Sequence, residues 1–174
     1  MPERVEPPVF RNRPNERLVL SDGREIWHSR SVAVVGTVVA RHGDRDHVAL
    51  VERGPGLPDE VGKLCLPCGY LDWDESALEA ARREIYEETG LDVSRWAHDT
   101  DPWRVLHQPT GRQNVALHFA FQATMDRLPA LTNEHVGADE VTRAIWLPIE
   151  EAIALELAFG HEHVLRAFRS TRAG

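Results

Sequence analysis

Residues 69–91 read GYLDWDESALEAARREIYEETGL, and no other stretch of the chain says as much about its fold and chemistry. Ser76 is followed three residues later by a glutamate, which is the spacing of a capping box. Gly90 is the residue type that most often ends a helix in the left-handed conformation. The stretch therefore predicts a loop followed by a short helix that begins at Ser76 and ends at Gly90.

The predicted helix carries an apolar stripe beside an acidic sector. The stripe has helical spacing and consists of Leu78, Ala81 and Ile85. Glu84 lies three and four residues before Glu87 and Glu88, so these carboxylates project from a sector about 100° wide. Such a sector forms a ready-made oxygen cluster for a hard divalent ion such as Mg²⁺. Most Glu-rich helices are only solvated faces, however, and the carboxylates alone leave both readings open.

The spacing of the whole stretch decides between these alternatives. From Gly69 to Leu91 it resembles the Nudix box, G-x5-E-x7-R-E-U-x-E-E-x-G-U, in which U is an aliphatic residue. Every fixed position of that pattern is matched. The matching residues are Gly69, Glu75, Arg83, Glu84, Ile85, Glu87, Glu88, Gly90 and Leu91. The pattern of strands on either side extends the resemblance to most of residues 31–158.

The resemblance to the Nudix family implies an enzyme that hydrolyses a nucleoside diphosphate linked to another group, by attack of water on phosphorus. It implies Mg²⁺ as the cofactor, with Mn²⁺ as an alternative. Carried over residue by residue, it implies that Glu84, Glu87 and Glu88 are metal ligands, together with a backbone carbonyl at or next to Gly69. Glu84 is alternatively the base that activates water. Arg83 is expected to orient Glu84, and a bidentate contact of its guanidinium would pin one carboxylate in a fixed rotamer.

Acidic residues outside the helix are also expected to contribute. The resemblance implies a further carboxylate from residues 132–140, as a metal ligand or as the catalytic base. Glu140 is the first candidate and Glu134 is the second. Glu75, which lies near the start of the helix, is expected to be structural.

Contacts with the substrate are harder to assign from the sequence. The basic candidates for phosphate or ribose are Arg53, Lys63 and Arg112. The aromatic candidates for stacking on a base are Tyr70, Trp73, Trp103 and Phe121. Each has a simpler alternative, because loop cations are usually solvated and most aromatic side chains serve in packing.

Two further groups of residues have side chains that can bind a metal, but the sequence favours a simpler interpretation of each. Cys65 and Cys68 form a C-x-x-C pair. No second ligand pair for zinc accompanies them, and a loop rather than a helix follows, so we expect small residues in a strand that enters the box. His161 and His163 are two residues apart and cannot share a helix face, so we expect both to be solvated.

Length and composition set the outer limits. A chain of 174 residues with 42% hydrophobic residues is typical of a single globular domain. We expect residues 1–30 to form an N-terminal arm and hairpin and residues 31–174 to form the Nudix hydrolase domain. The net charge of -8 argues against a nucleic-acid polymer as partner. No apolar segment suits a membrane span or a secretory signal, so a cytoplasmic location is expected.

The pattern of hydrophobic residues predicts mixed α and β structure. Residues 17–27 predict a hairpin with its turn at Asp22-Gly23. Residues 32–40 are apolar on both faces and predict a central strand, followed by a polar turn over 41–47. Further strands are predicted over 48–52, 103–108, 114–124 and 140–147, and helices over 149–159 and 161–169. The resemblance adds the fold class, α/β, with the Nudix fold as an α/β/α sandwich around a mixed β-sheet.

Three functions remain open at this stage. The first is hydrolysis of a small nucleotide-type substrate such as ADP-ribose or NADH. The N-terminal hairpin resembles strands that some ADP-ribose-type relatives use for dimerisation, which favours this substrate class and a homodimer. The second is a housecleaning pyrophosphohydrolase of nucleoside triphosphates. The third is a Nudix-fold nucleotide-binding module without turnover, although such modules usually have a broken box.

Overall fold

The structure, a computed structural model, describes residues 13–108 and 114–172. The described strands are β1 (Glu16–Val19), β2 (Glu25–His28), β3 (Val32–His42), β4 (Arg45–Arg53), β5 (Leu64–Cys65), β6 (Cys68–Tyr70), β7 (Arg104–Leu106), β8 (Val115–Thr124) and β9 (Val141–Pro148). The described helices are α1 (Ala77–Thr89), α2 (Ile149–Ala152) and α3 (His161–Arg172), and one 3-10 turn spans Ala158–Gly160.

The main sheet is mixed and is organised around β3. β3 pairs in parallel with β8, and antiparallel with β4 and β6. β5 and β9 pair with β4, and β7 pairs with β8. This places β6, the strand that opens the acidic stretch, directly beside the central strand.

Helices cover both faces of this sheet, as the pattern in β3 requires. Val34 and Val38 lie in one hydrophobic cluster with Ile85 of α1. Val35 lies in a second cluster with Leu165 of α3. Because successive side chains of a strand point to opposite faces, an apolar run buried on both sides is what a central strand needs. The structure confirms the predicted α/β/α sandwich around a mixed β-sheet.

Most predicted elements are present, but the polar turn over residues 41–47 is wrong. β3 continues to His42 and β4 begins at Arg45, so only Gly43 and Asp44 form the turn. Gly43 has a φ of 61°, which suits a tight hairpin. These strand residues are polar because they lie at an exposed end of the hairpin. For that reason the hydrophobic pattern did not predict strands there. There Arg41 pairs with Asp46 and donates to it at 3.2 Å.

The predicted helix over residues 149–159 is also wrong beyond its first turn. α2 ends at Ala152, and the chain then turns before the 3-10 segment. Phe159 adopts a left-handed φ of 63°, which no helix interior allows. In that conformation its ring lies 4.5 Å from the Arg53 guanidinium. Arg53 ends β4 and is distant in the chain, so this contact is a tertiary one that helical periodicity does not reveal.

The described chain divides into two compact units, with the division between Arg30 and Ser31. The first contains the predicted hairpin, in which β1 and β2 pair antiparallel and Gly23 has a φ of 85°. The predicted arm up to residue 12 lies outside the described residues. Within the described ranges, none of the helices combines the length and apolar character needed to cross a membrane.

Candidate active site

Local capping fixes where α1 begins and ends. The Ser76 hydroxyl accepts from the Glu79 backbone N–H at 3.3 Å, and the Glu79 carboxylate accepts from the Ser76 N–H at 2.8 Å. Gly90 adopts a left-handed φ of 72°, and its N–H donates to the Tyr86 carbonyl at 2.8 Å. The capping box and the terminal glycine are therefore confirmed. They fix the rotation and the ends of the helix that carries the acidic sector.

α1 lies close against β3 because the strand provides a glycine beneath it. A Cβ on Gly36 would stand 2.6 Å or less from two carbons of Ile85. Ala80, Ala81 and Ile85 are buried against the sheet. With this apolar face fixed, the adjoining acidic sector faces β6.

Arg83 is the centre of a charged network at the helix surface. Its Nε donates to Glu75 Oε2 at 3.0 Å and its Nη2 donates to Glu75 Oε1 at 2.6 Å. Its Nη1 donates to Glu84 at 2.7 Å and to Glu87 at 3.0 Å. Nη2 also donates to the Tyr70 carbonyl at 3.1 Å. One guanidinium therefore joins three carboxylates to the loop before the helix.

The expected bidentate contact of Arg83 with one carboxylate is present, and that carboxylate belongs to Glu75. Two parallel bonds link Arg83 to Glu75, and the guanidinium lowers the pKa of the Glu75 carboxyl. Glu84 is adjacent to Arg83 in the chain and meets only one of its nitrogens. Arg83 thus holds Glu84 by one bond, while Glu75 has the structural part expected of it.

Glu84 is buried against the chain at Gly69. A Cβ on Gly69 would overlap all three terminal atoms of the Glu84 carboxylate, so a side chain there would displace that carboxylate. Burial raises the pKa of Glu84, and the nearby charges of Glu87 and Glu140 raise it further, although Arg83 acts in the opposite direction. The burial effect wins over the ion pair. The ionised carboxylate is therefore short of compensating positive charge.

Glu88 is the more deeply buried carboxylate of the pair. Only 6% of the residue is exposed, and its Oε2 accepts from the Cys68 backbone N–H at 3.0 Å. Burial raises its pKa well above the usual range, and the charge of Glu84 adds to this. One backbone hydrogen bond does not offset that burial. The structure thus places two under-compensated carboxylates next to one another beside β6.

The predicted ready-made metal cluster is not present in that form. Among the residues that the structure describes, no three histidine, cysteine, aspartate or glutamate side chains converge on one point as metal ligands. Glu84 and Glu87 turn toward Arg83, and Glu88 turns toward the Cys68 N–H. All the candidate side-chain donors are carboxylate oxygens, which are the hard ligands that suit Mg²⁺ or Mn²⁺. The residues fit a divalent cation, provided that they reorient from these partners.

Glu140 approaches the buried pair from the loop before β9. Its side chain is exposed, yet its charge is close enough to raise the pKa of both Glu84 and Glu88. Glu134 is also exposed, and its backbone N–H donates to Thr132 Oγ1 at 3.3 Å. The loop that carries Glu140 is attached to the end of α1, where the Thr132 N–H donates to the Thr89 carbonyl at 3.0 Å. The role of Glu140 as base or ligand stays a prediction.

The aromatic candidates fall into two groups. Tyr70 is exposed at the end of β6, and Trp73, in the loop between β6 and α1, is 98% exposed. Trp103 packs on Phe168 with ring centroids 5.4 Å apart, and Phe121 is completely buried in the core. Only Tyr70 and Trp73 have surface available for a base.

Two of the three basic candidates, Arg53 and Lys63, pair with acidic residues of the protein. The Arg53 side chain is 11% exposed and donates to the Asp59 carboxylate at 2.8 Å, so it has little surface for a phosphate. The Lys63 ammonium pairs with Glu60 at 2.8 Å and with Glu156 at 2.7 Å. These pairs place both side chains in the 54–63 loop region as structural cations. Arg112 lies outside the described residues.

Cys65 and Cys68 are free thiols in β5 and β6, as expected for small strand residues. A hydrogen bond with Cys65 and burial raise the pKa of the Cys68 thiol, which keeps it protonated and unreactive. The reading of His161 as solvated is wrong. It is buried, and its Nδ1 accepts from the Leu66 backbone N–H at 3.0 Å. His163 is exposed.

Sequence reasoning missed two backbone features that shape this site. The Cys68 N–H holds Glu88, and Gly54 and Gly56 hold the loop that carries Glu140. The sequence signal for the role of the Cys68 N–H is the position of Cys68 directly before Gly69, the first residue of the box. The glycines follow a strand and resemble ordinary loop residues, so the sequence offered no comparable signal for them.

Known proteins resemble this chain in both sequence and fold. The NUDIX domain profile matches residues 29–168. Nudix hydrolase 3 of Caenorhabditis elegans is 31% identical over 109 residues, which cover 63% of this chain and 44% of that protein. The chain spans less than half the length of the curated relatives that it matches.

Two solved structures show the same fold. The NUDIX domain of Shewanella oneidensis NrtR complexed with ADP ribose has a TM-score of 0.65 and 19% identity, over 82% of this chain and 88% of that chain. A bifunctional NMN adenylyltransferase/ADP ribose pyrophosphatase from Francisella tularensis has a TM-score of 0.65 and 19% identity, over 83% and 42% respectively. With a profile match over residues 29–168 and this fold, the chain belongs to the Nudix family.

Proposed function

We propose that this chain is a metal-dependent pyrophosphohydrolase of a nucleoside diphosphate derivative such as ADP-ribose or NADH. The observation that carries the proposal is the buried pair Glu84 and Glu88, whose negative charge exceeds what their protein partners compensate. A pyrophosphate ester is also anionic, so substrate and site would repel each other without a cation. The intact box from Gly69 to Leu91 supports the same reading.

Glu84, Glu87 and Glu88, with the carbonyl at or next to Gly69, would hold Mg²⁺ or Mn²⁺. Such an ion, when bound, neutralises charge that develops on the phosphoryl oxygens. Arg83 restrains the carboxylates of Glu84 and Glu87 through its two bonds from Nη1. These carboxylates would have to turn from Arg83 to bind the ion, and until then the two bonds keep both on one side of the helix.

The hydrolysis itself requires a proton acceptor near the attacking water. The water oxygen bonds to phosphorus, the bridging P–O bond breaks, and the water proton passes to a carboxylate. Glu140 is the first candidate for that acceptor, and Glu84 is the alternative. With ADP-ribose as substrate, the two products are AMP and ribose 5-phosphate.

Substrate selection is proposed to involve Tyr70 and Trp73. Tyr70 at the end of β6 and Trp73 in the loop that follows are both exposed, so a base could stack on either ring. Names of structural relatives also guide the choice of ligand. One of these structures contains ADP ribose, and another protein is named an ADP ribose pyrophosphatase. ADP-ribose is therefore the first compound to test.

A nucleotide panel tests this function. The protein is incubated with Mg²⁺ and ADP-ribose, NADH, or nucleoside triphosphates including oxidised ones, and the products are identified. We expect AMP and ribose 5-phosphate from ADP-ribose, loss of activity in excess chelator, and recovery with Mg²⁺ or Mn²⁺. In water enriched in ¹⁸O, the label should enter a phosphate group.

Other outcomes of the panel would assign the alternatives. Pyrophosphate and a monophosphate, released from a triphosphate in preference to the other compounds, would indicate a housecleaning enzyme. Saturable binding without any product would indicate a binding module. Activity that persists after exhaustive chelation would contradict metal dependence.

We also infer a homodimer that forms through the N-terminal hairpin. Val19 and Trp27 are each 66% exposed on its strands, and Leu18 and Ile26 are also exposed. Apolar side chains in such number on a short hairpin favour a partner surface. Light scattering should give twice the chain mass, and a monomer at micromolar concentration would contradict the inference. The cytoplasmic location stays a prediction.

A further inference from the structure

The loop before β9 is fastened to the loop after β4 by two backbone hydrogen bonds. The Gly54 N–H donates to the Glu140 carbonyl at 2.8 Å, and the Gly56 N–H donates to the Asp139 carbonyl at 2.7 Å. Arg53 is the last residue of β4 paired with β9, where it faces Val141. The two bonds therefore continue the β4–β9 contact past the end of the sheet, to the residues that carry Glu140.

These two glycines have no room for a side chain. A Cβ on Gly54 would overlap the Asp139 carbonyl and stand 2.8 Å from the Ala138 oxygen. A Cβ on Gly56 would stand 2.9 Å from the Asp139 Cβ. Neither residue has a positive φ, so their backbone conformation does not require glycine. Space alone requires it, because the two loops lie in direct backbone contact.

The other end of the same loop is attached to α1. The Thr132 N–H donates to the Thr89 carbonyl at 3.0 Å, and a Cβ on Gly90 would stand 2.5 Å from Thr132 Cγ2. Between the two attachments, the Val141 N–H donates to the Gly137 carbonyl at 3.1 Å and closes a turn. The segment from Thr132 to Val141 thus bridges the acidic helix and the β4 loop.

The Glu140 carboxylate itself is not held by side-chain hydrogen bonding. Within the described residues, no hydrogen bond or ion pair reaches it, and the side chain is exposed. Its position therefore depends on the backbone of residues 139 and 140. That backbone is the part fastened by Gly54 and Gly56.

We propose that Gly54 and Gly56 are positioning residues, which hold the backbone of Asp139 and Glu140 so that the Glu140 carboxylate stays beside Glu84 and Glu88. This proposal rests on the proposed hydrolase function. The attachment of the same loop to the Thr89 carbonyl, one residue after Glu88, supports this placement of the loop beside the acidic helix. The glycines act through Glu140 and need not touch the substrate.

Gly54→Ala tests the proposal, with Gly137→Ala as the matched control. Gly137 lies in the same loop, has no positive φ, and would place a Cβ in open space. We expect Gly54→Ala to lower kcat about 10- to 100-fold with little change in KM, since a displacement of about 1 Å has effects of this size. Gly137→Ala should keep kcat within about 3-fold of wild type. ADP-ribose with Mg²⁺ is the first assay, replaced by the best-hydrolysed compound of the panel.

A double-mutant cycle separates positioning from simple packing. In a Glu140→Gln background, Gly54→Ala should lower kcat by less than about 3-fold, because the group that it positions is already absent. An equal loss of kcat in both backgrounds would overturn the proposal. Gly56→Ala, with its milder contact at 2.9 Å, repeats the cycle if Gly54→Ala does not fold.

The proposal and the hydrolase function fail in different ways. If the wild-type protein hydrolyses no compound of the panel, the proposed function fails. If it does, and Glu140→Gln keeps full kcat, then the positioning proposal alone is overturned. Melting temperatures of all variants show whether a loss of kcat reflects unfolding.

Discussion

Glu88→Gln is expected to lower kcat by about 10²- to 10⁴-fold, which corresponds to about 3–5 kcal/mol of transition-state stabilisation. The amide keeps the size of the side chain and can still accept from the Cys68 N–H. It removes only the negative charge that a divalent cation needs. The loss should therefore lie in catalysis and metal binding rather than in folding.

The stability of the Glu88→Gln variant, in contrast to its kcat, should stay the same or rise. Burial raises the pKa of Glu88, so the ionised form is disfavoured in the folded protein. Without metal, Glu88→Gln should therefore melt at the wild-type temperature or above it. Added Mg²⁺ should raise the melting temperature of the wild type more than that of the variant, because a ligand stabilises only the state that binds it.

Glu79→Gln is the matched control for this substitution. Glu79 lies on the same helix, is exposed, and accepts from the Ser76 N–H in the capping box, which glutamine can also do. It should keep wild-type kcat. Normal turnover by Glu88→Gln under the same conditions would remove Glu88 from the active site.

Arg83→Lys is expected to reduce both activity and stability. Lysine cannot make two parallel bonds to Glu75 while it also contacts Glu84 and Glu87, because its ammonium is a single point of charge. We expect kcat to fall by about 10²-fold as the carboxylates lose their fixed positions. The loss of charged hydrogen bonds should cost about 1–3 kcal/mol, or about 3–10 °C in melting temperature.

The neighbouring residue offers a control for Arg83→Lys. Arg82 lies one position earlier on the helix and contacts His98 at 2.6 Å rather than the acidic network. Arg82→Lys should keep turnover within about 3-fold of wild type, as for a substitution away from a catalytic network. Equal effects of the two substitutions on kcat would contradict a special role for Arg83. An unchanged melting temperature for Arg83→Lys would contradict the expectation that Arg83 stabilises the folded protein.

The sequence predicts best those features that local chemistry determines. The capping box at Ser76 and the glycine at Gly90 fix the ends of α1 through contacts between residues close in the chain. The central position of β3 follows from an apolar run that only a strand covered on both faces can bury. Both predictions needed no knowledge of distant residues.

Tertiary contacts account for the failures. The helix after Pro148 ends at Ala152, and Phe159, in a left-handed conformation, contacts Arg53, more than 100 positions earlier in the chain. His161 is buried because it accepts from the Leu66 N–H. The periodicity of hydrophobic residues does not identify partners that are distant in the chain. The same holds for Gly54, whose requirement for glycine arises from a neighbouring loop.

Within the candidate site, the sequence identified residues better than it identified their partners. It brought Glu84, Glu87 and Glu88 to one sector of α1, where the structure also places them. It predicted a bidentate contact of Arg83 with a carboxylate but did not identify Glu75 as the partner, because Glu75 reaches the guanidinium from the loop before the helix. Pair geometry depends on the path of that loop, which local spacing does not specify.

Diffraction from crystals soaked in Mn²⁺ tests the central claim most directly. An anomalous difference map should show one strong peak in contact with carboxylate oxygens of Glu84 and Glu88, and it should be absent from Glu88→Gln crystals soaked in the same way. A map without density between these side chains, from crystals of protein that is active in the same Mn²⁺ solution, would contradict the metal site and the function built on it.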